Sequence, residues 1–177
     1  MTIISKYLVP SCIFTAHALC VSSASAQEAP PEGCSELTPR AFETLIATLE
    51  DSIDQATADC SSFCGTGAYA TAPQANLDYL QIVLGQVEDF ELWLADVEGN
   101  SAFVTNTTAA YNVHGLARNA ILALHYARHW ATISATYHGS SAARLSFSTT
   151  TDAIHQLETL GENGGLCYMQ VYGPFTN

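Results

Sequence analysis

Lysine is almost missing from this chain. Lys6 is the only one, and Arg40, Arg118, Arg128 and Arg144 supply the rest of the positive charge. Against them stand 17 acidic residues, for a formal charge of −12 in 177 residues. So few cations exclude nucleic acid as a partner, because phosphate binding rests on Lys and Arg neutralising the backbone. Charged residues as a whole are also scarce, at 12%, while 48% of the chain is apolar. A disordered acidic tail needs the reverse, low hydrophobicity with dense charge, so this chain is expected to fold.

Other absences narrow the chemistry. No Gly-x-Ser-x-Gly or Ser-x-x-Lys elbow is present to activate a nucleophile. There is no His-Glu-x-x-His for a zinc hydrolase, and no Cys-x-x-Cys-His, which excludes c-type haem attachment. There is no internal repeat and no low-complexity block. An enzyme is therefore the least supported class.

The first 26 residues read as an address. Lys6 gives a positive start, Tyr7 to Val21 is apolar, and Ser22-Ser23-Ala24-Ser25-Ala26 places small residues before a cleavage point after Ala26. The apolar stretch carries Pro10 and His17 and falls short of the roughly 20 residues of a membrane span. Nothing later in the chain is expected to span a bilayer. Residues 1–26 are thus expected to be a secretory signal, and the product to be periplasmic or extracellular. Cleavage would discard Lys6 and make the remainder one unit more acidic. About 150 residues would remain, enough for one domain. Residues 27–37 have linker composition, and 38–177 are expected to form a single helical domain.

Within that domain, periodicity predicts helices. Thr38-Pro39 has the order of an N-cap followed by proline in the first turn. Phe42, Leu45, Ile46, Leu49, Ile53, Ala56 and Cys60 then share one stripe, which predicts a helix over 39–60 with the Cys60 sulfur facing inward. Residues 61–72 have loop chemistry. Pro73 opens a second helix through Leu77, Leu80, Val83, Leu84, Val87, Phe90 and Leu94, with Gly99-Asn100 as its stop. The segment 108–137 is apolar nearly all round, the signature of a central helix. A short helix over 141–147 and a weaker one from Thr150 to Leu160, stopped by Gly161, come next. The tail from Gly164 to Asn177 reads as an extended strap. The expected fold is all-α, a compact bundle of four to five helices with disulfide staples and that strap.

Once the signal is removed, the cysteines are Cys34, Cys60, Cys64 and Cys167. An even count in an exported chain predicts two disulfides. A continuous helix would hold Cys60 and Cys64 about 6 Å apart, near the upper limit for a direct bridge. Separate bonds from Cys60 and Cys64 to Cys34 and Cys167 are therefore expected.

Four polar residues on the third helix form the most suggestive constellation. With His114 at zero, Arg118 falls at about 40°, His125 at about 20° and His129 at about 60°. His125 and His129 stand at the i,i+4 spacing with which two imidazoles hold one metal ion, so a metal or haem role is an alternative to simple binding. Their third ligand would have to come from His138, His155 or a carboxylate. Glu88, Asp89, Glu91 and Asp96 cluster on the second helix as a solvated face. Asn106-Thr107-Thr108 has the form of a glycosylation acceptor, relevant only in a eukaryotic host. An acidic surface would steer cationic partners toward it. The leading reading is an exported acidic helical protein that binds a basic protein, as an inhibitor or immunity factor does. The competing reading takes the acidity as a solubility adaptation to a saline habitat.

Overall fold

Thr38 begins the first long helix as its sequence predicts. Its Oγ1 accepts the Ala41 amide at 3.3 Å, and Pro39 occupies the first turn, where a missing N–H costs nothing. In the computed structural model, which describes residues 33–99 and 104–172, four helices follow a short 3-10 turn at Cys34–Glu36. They are α1 (Pro39–Phe63), α2 (Ala72–Glu98), α3 (Thr107–Tyr137) and α4 (Ser141–Tyr172). The predicted signal segment and most of the predicted linker, up to residue 32, residues 100–103 and the last five residues lie outside the described part.

Neighbouring helices run antiparallel. Tyr79 of α2 stacks on Tyr126 of α3, and Tyr69, just before α2, packs on Tyr137 at the end of α3, so numbers rise along α2 as they fall along α3. Cys34 meets Cys167 and Thr48 meets Gln156, giving the same sense for α1 and α4. The result is an up-down-up-down bundle, an all-α fold as the sequence predicts. Phe42, Leu45, Leu49, Leu80, Val83, Val87, Val113, Leu124 and Leu157 fill its axis.

The last helix departs from expectation. Segments 141–147 and 150–160 and the start of the predicted strap are one continuous helix to Tyr172. Gly161 and Gly164, which read as breakers, are contact points with α3. A Cβ on Gly161 would come within 2.8 Å of the Ala117 Cβ, and one on Gly164 within 2.8 Å of the Ala110 carbonyl oxygen. Each glycine costs about 1 kcal/mol of helix propensity. Close approach of α4 to the buried alanines of α3 offsets that cost.

Three further corrections concern burial and pairing. The helix over 108–137 is not central: α3 is one of four corners, and Leu122 and Tyr126 face solvent. Residues 34–37, expected as linker, are docked. Leu37 is fully buried, and its carbonyl accepts the Val104 amide at 3.0 Å. The disulfides pair Cys34 with Cys167 and Cys60 with Cys64. The second pair forms because Cys64 leaves the helix as its C-cap, with ψ 129°, which brings the two Cα atoms to 4.6 Å.

Candidate functional site

The distal half of α2 gathers charge and exposed apolar surface in one place. Glu88, Asp89, Glu91, Asp96 and Glu98 stand on its last three turns, and the whole helix carries no Lys, Arg or His. Among the described residues no ion pair engages these carboxylates. Leu92 is 69% exposed, Val97 39% and Trp93 37%. The Trp93 ring is held from beneath: it packs on Phe90 at 5.3 Å, and Phe90 packs on the buried Phe42 at 5.8 Å. Beside this ridge lies a cleft of about 270 Å³ with Leu37, Leu94 and Val104 among its apolar walls and Glu91 and Glu98 in its lining. Glu98 also ties down the entrance of α3, accepting the amides of Thr105 and Asn106 at 3.0 and 2.7 Å. Asn106, in the glycosylation-type triplet, is the N-cap of α3 and accepts the Thr108 and Ala109 amides.

The histidine face of α3 divides into two parts. His114 and Arg118 share a groove of about 310 Å³ between α3 and α4 with Glu158 and Glu162. The His114 Nδ1 lies 3.0 Å from the Gly161 carbonyl oxygen. A carbonyl only accepts, so Nδ1 must carry the proton and donate. His125 and His129 are exposed further along the helix. Arg128, three residues on from His125, turns back toward it. Its guanidinium is 3.3 Å from the His125 Nδ1 and lies over the Phe147 ring. His129 packs edge-on against Trp130. His138 stacks on Phe63, and His155 pairs with Glu158. Among the described residues no group of three or more His, Cys, Asp or Glu is placed to hold a metal ion.

Sequence reasoning missed a set of buried polar groups. Cys60 does not close the inward stripe of α1; Asp59 does, with no exposed surface, while Cys60 is only half-buried. Asn76, Ser134 and Ser146 are equally buried on the other three helices. The available signal was a polar residue standing at a core position of each stripe, which periodicity over apolar residues alone passes over.

Comparison with known families, with characterised proteins and with solved structures finds no match for this chain.

Proposed function

We propose that this chain is an exported four-helix protein that works by binding, and that the distal half of α2 receives a cationic, apolar-faced segment of a basic partner protein, as an inhibitor or immunity-type protein would. The observation that carries this reading is the pairing of Glu88, Asp89, Glu91 and Asp96, which no ion pair among the described residues engages, with the exposed Leu92, Trp93 and Val97 on one helix end. Carboxylates there favour a cationic approach, and apolar side chains reward one that brings hydrophobic anchors. A rigidly held aromatic such as Trp93 loses little freedom on contact. Export is supported by the N-terminal sequence and by two disulfides, which persist in oxidising compartments. Among the described residues no helix is long and apolar enough to cross a membrane.

Trp93 provides the assay. With Trp130→Phe, it is the only tryptophan, and its emission reports a Lys/Leu amphipathic peptide used as the probe. The peptide is expected to shift that emission, and Leu92→Ala to weaken its binding about tenfold, a typical loss for a buried anchor. Raising the ionic strength from about 0.05 to about 0.5 M should weaken it by a similar factor. Equal binding of the matching Glu/Leu peptide, or capture indifferent to salt, would refute the reading. A protein that folds only in molar salt and captures neither peptide would leave the saline-habitat reading. Stoichiometric metal or a Soret band in the purified protein, lost on changing His125 and His129 to Ala, would favour the metal reading instead.

A further inference from the structure

At the end of the bundle away from the proposed docking surface, four fully buried polar side chains stand at one level, one from each helix. Register places them together. Phe63 of α1 and His138 of α3 are stacked across the bundle, and one turn back on each helix stand Asp59 and Ser134. The other diagonal is spanned directly, with Asn76 of α2 donating its Nδ2–H to the Ser146 Oγ of α4 at 3.0 Å. The two diagonals lie at matching heights, because Cys60 Sγ sits 3.3 Å from the Oε1 of Gln74. Asp59, Asn76, Ser134 and Ser146 all have no exposed surface.

This layer is short of donors. Both carboxylate oxygens of Asp59, the Asn76 Oδ1 and the Ser134 Oγ are buried without a hydrogen-bond partner among the described residues. A buried carboxylate needs a compensating positive charge, or the cost of removing it from water is several kcal/mol. Among the described residues none is offered there. The described part contains no lysine, Arg40, Arg118 and Arg144 are exposed, and Arg128 is engaged with His125 and Phe147. His138 is the titratable neighbour one turn outward, but its Nε2 is itself buried without a partner and so does not reach Asp59.

We infer that this layer is an internal site for one alkali cation, with the Asp59 carboxylate, the Asn76 carbonyl and the Ser134 hydroxyl as its oxygen ligands. The donor chemistry selects the class. All the unpartnered atoms of these three residues are oxygens, which suits a hard cation. The single negative charge matches a monovalent ion, whereas a divalent ion would leave net positive charge buried. The acidic surface raises the local concentration of such ions.

The test compares thermal unfolding in sodium or potassium chloride with tetramethylammonium chloride at equal ionic strength, the organic cation being too large for the bundle interior. A cation bound only by the folded state raises Tm by mass action. The wild type is expected to melt about 3 to 5 °C higher in the alkali salt, and Asp59→Asn, of nearly the same shape, is expected to lose that difference. Ser134→Ala should reduce it. Equal Tm in both salts for the wild type would overturn the proposal, as would a difference that persists in Asp59→Asn. Should Asp59→Asn not fold, crystals of the wild type grown in thallium(I) supply the decision: an anomalous peak between Asp59 and Asn76 supports the site, and its absence refutes it.

Discussion

At the end where α1 and α3 begin, Cys34 is bonded to Cys167 across nearly the whole chain, and Gly161 and Gly164 let α4 settle against the backbone of α3. At the opposite end the disulfide joins Cys60 to Cys64 within one turn, and Asp59, Asn76, Ser134 and Ser146 are fully buried. One end is closed by a covalent tie and close backbone packing. The other is closed by polar groups whose needs the chain does not itself meet. The tightly built end also carries the acidic ridge of α2, so the proposed docking surface rests on the most constrained part of the bundle.

The largest test of this contrast removes each disulfide in turn. The two bonds enclose very different lengths of chain, with sequence separations of 133 and 4 residues. On the chain-entropy account, changing Cys34 and Cys167 to Ala should cost about 5 kcal/mol, and changing Cys60 and Cys64 about 2 kcal/mol. Denaturant unfolding of the two double variants measures both; equal losses would contradict the asymmetry.

Glycine substitutions should come next in size and differ in sign. Gly164→Ala would drive a Cβ into the Ala110 carbonyl and is expected to destabilise by about 1 to 3 kcal/mol. Gly85→Ala on α2 meets nothing within 4 Å and should stabilise by up to about 1 kcal/mol through helix propensity. If both stabilise in thermal melts, the close α3–α4 contact is not the reason for glycine in α4. On the docking surface, Leu92→Ala should change stability by less than about 0.5 kcal/mol, because its side chain is largely exposed. Its effect should appear in peptide capture alone.

The smallest expected effect lies at the polar end. Tyr137 has its phenol raised above the ordinary value, first by the hydrogen bond with Tyr69 and then by the charge Tyr69 would carry. A raised folded value means that the associated stability is present below the ordinary tyrosine range and is lost as pH climbs through the raised value. Tyr69→Phe should return Tyr137 to the usual range, followed by its ring resonances in an alkaline NMR titration. Because the ring is exposed, no measurable loss of stability should accompany the change at neutral pH.

Much of α1, α2 and α3 was legible because the starts of α1 and α2 carry local signals and all three carry apolar periodicity. Thr38-Pro39 and Pro73 act within a turn of themselves, and apolar spacing reports one buried face whatever lies opposite; the capping role of Asn106 at the start of α3 appeared only in the structure. The misreadings share a different cause. Gly161 reads as a stop only if α3 is absent, and Cys60 reads as inward only if its neighbour Asp59 is assumed to seek water. The contact of Arg128 with His125 escaped the helical-angle reading, because a long side chain reaches back along its own helix. The histidines show the same limit, since one helical face brought His114 and Arg118 into a groove and left His125 and His129 apart from it.

By itself the sequence determined the helical class, the starts of three helices, the acidic character and the presence of four cysteines in the region after residue 26, since propensity, periodicity and composition act over a few residues. Only the tertiary structure decided which cysteines pair, that α4 runs unbroken through its glycines, and that each of the four helices buries a polar residue near one end of the bundle. Each of those outcomes depends on what a distant segment places opposite a residue, and that free energy is absent until the helices pack.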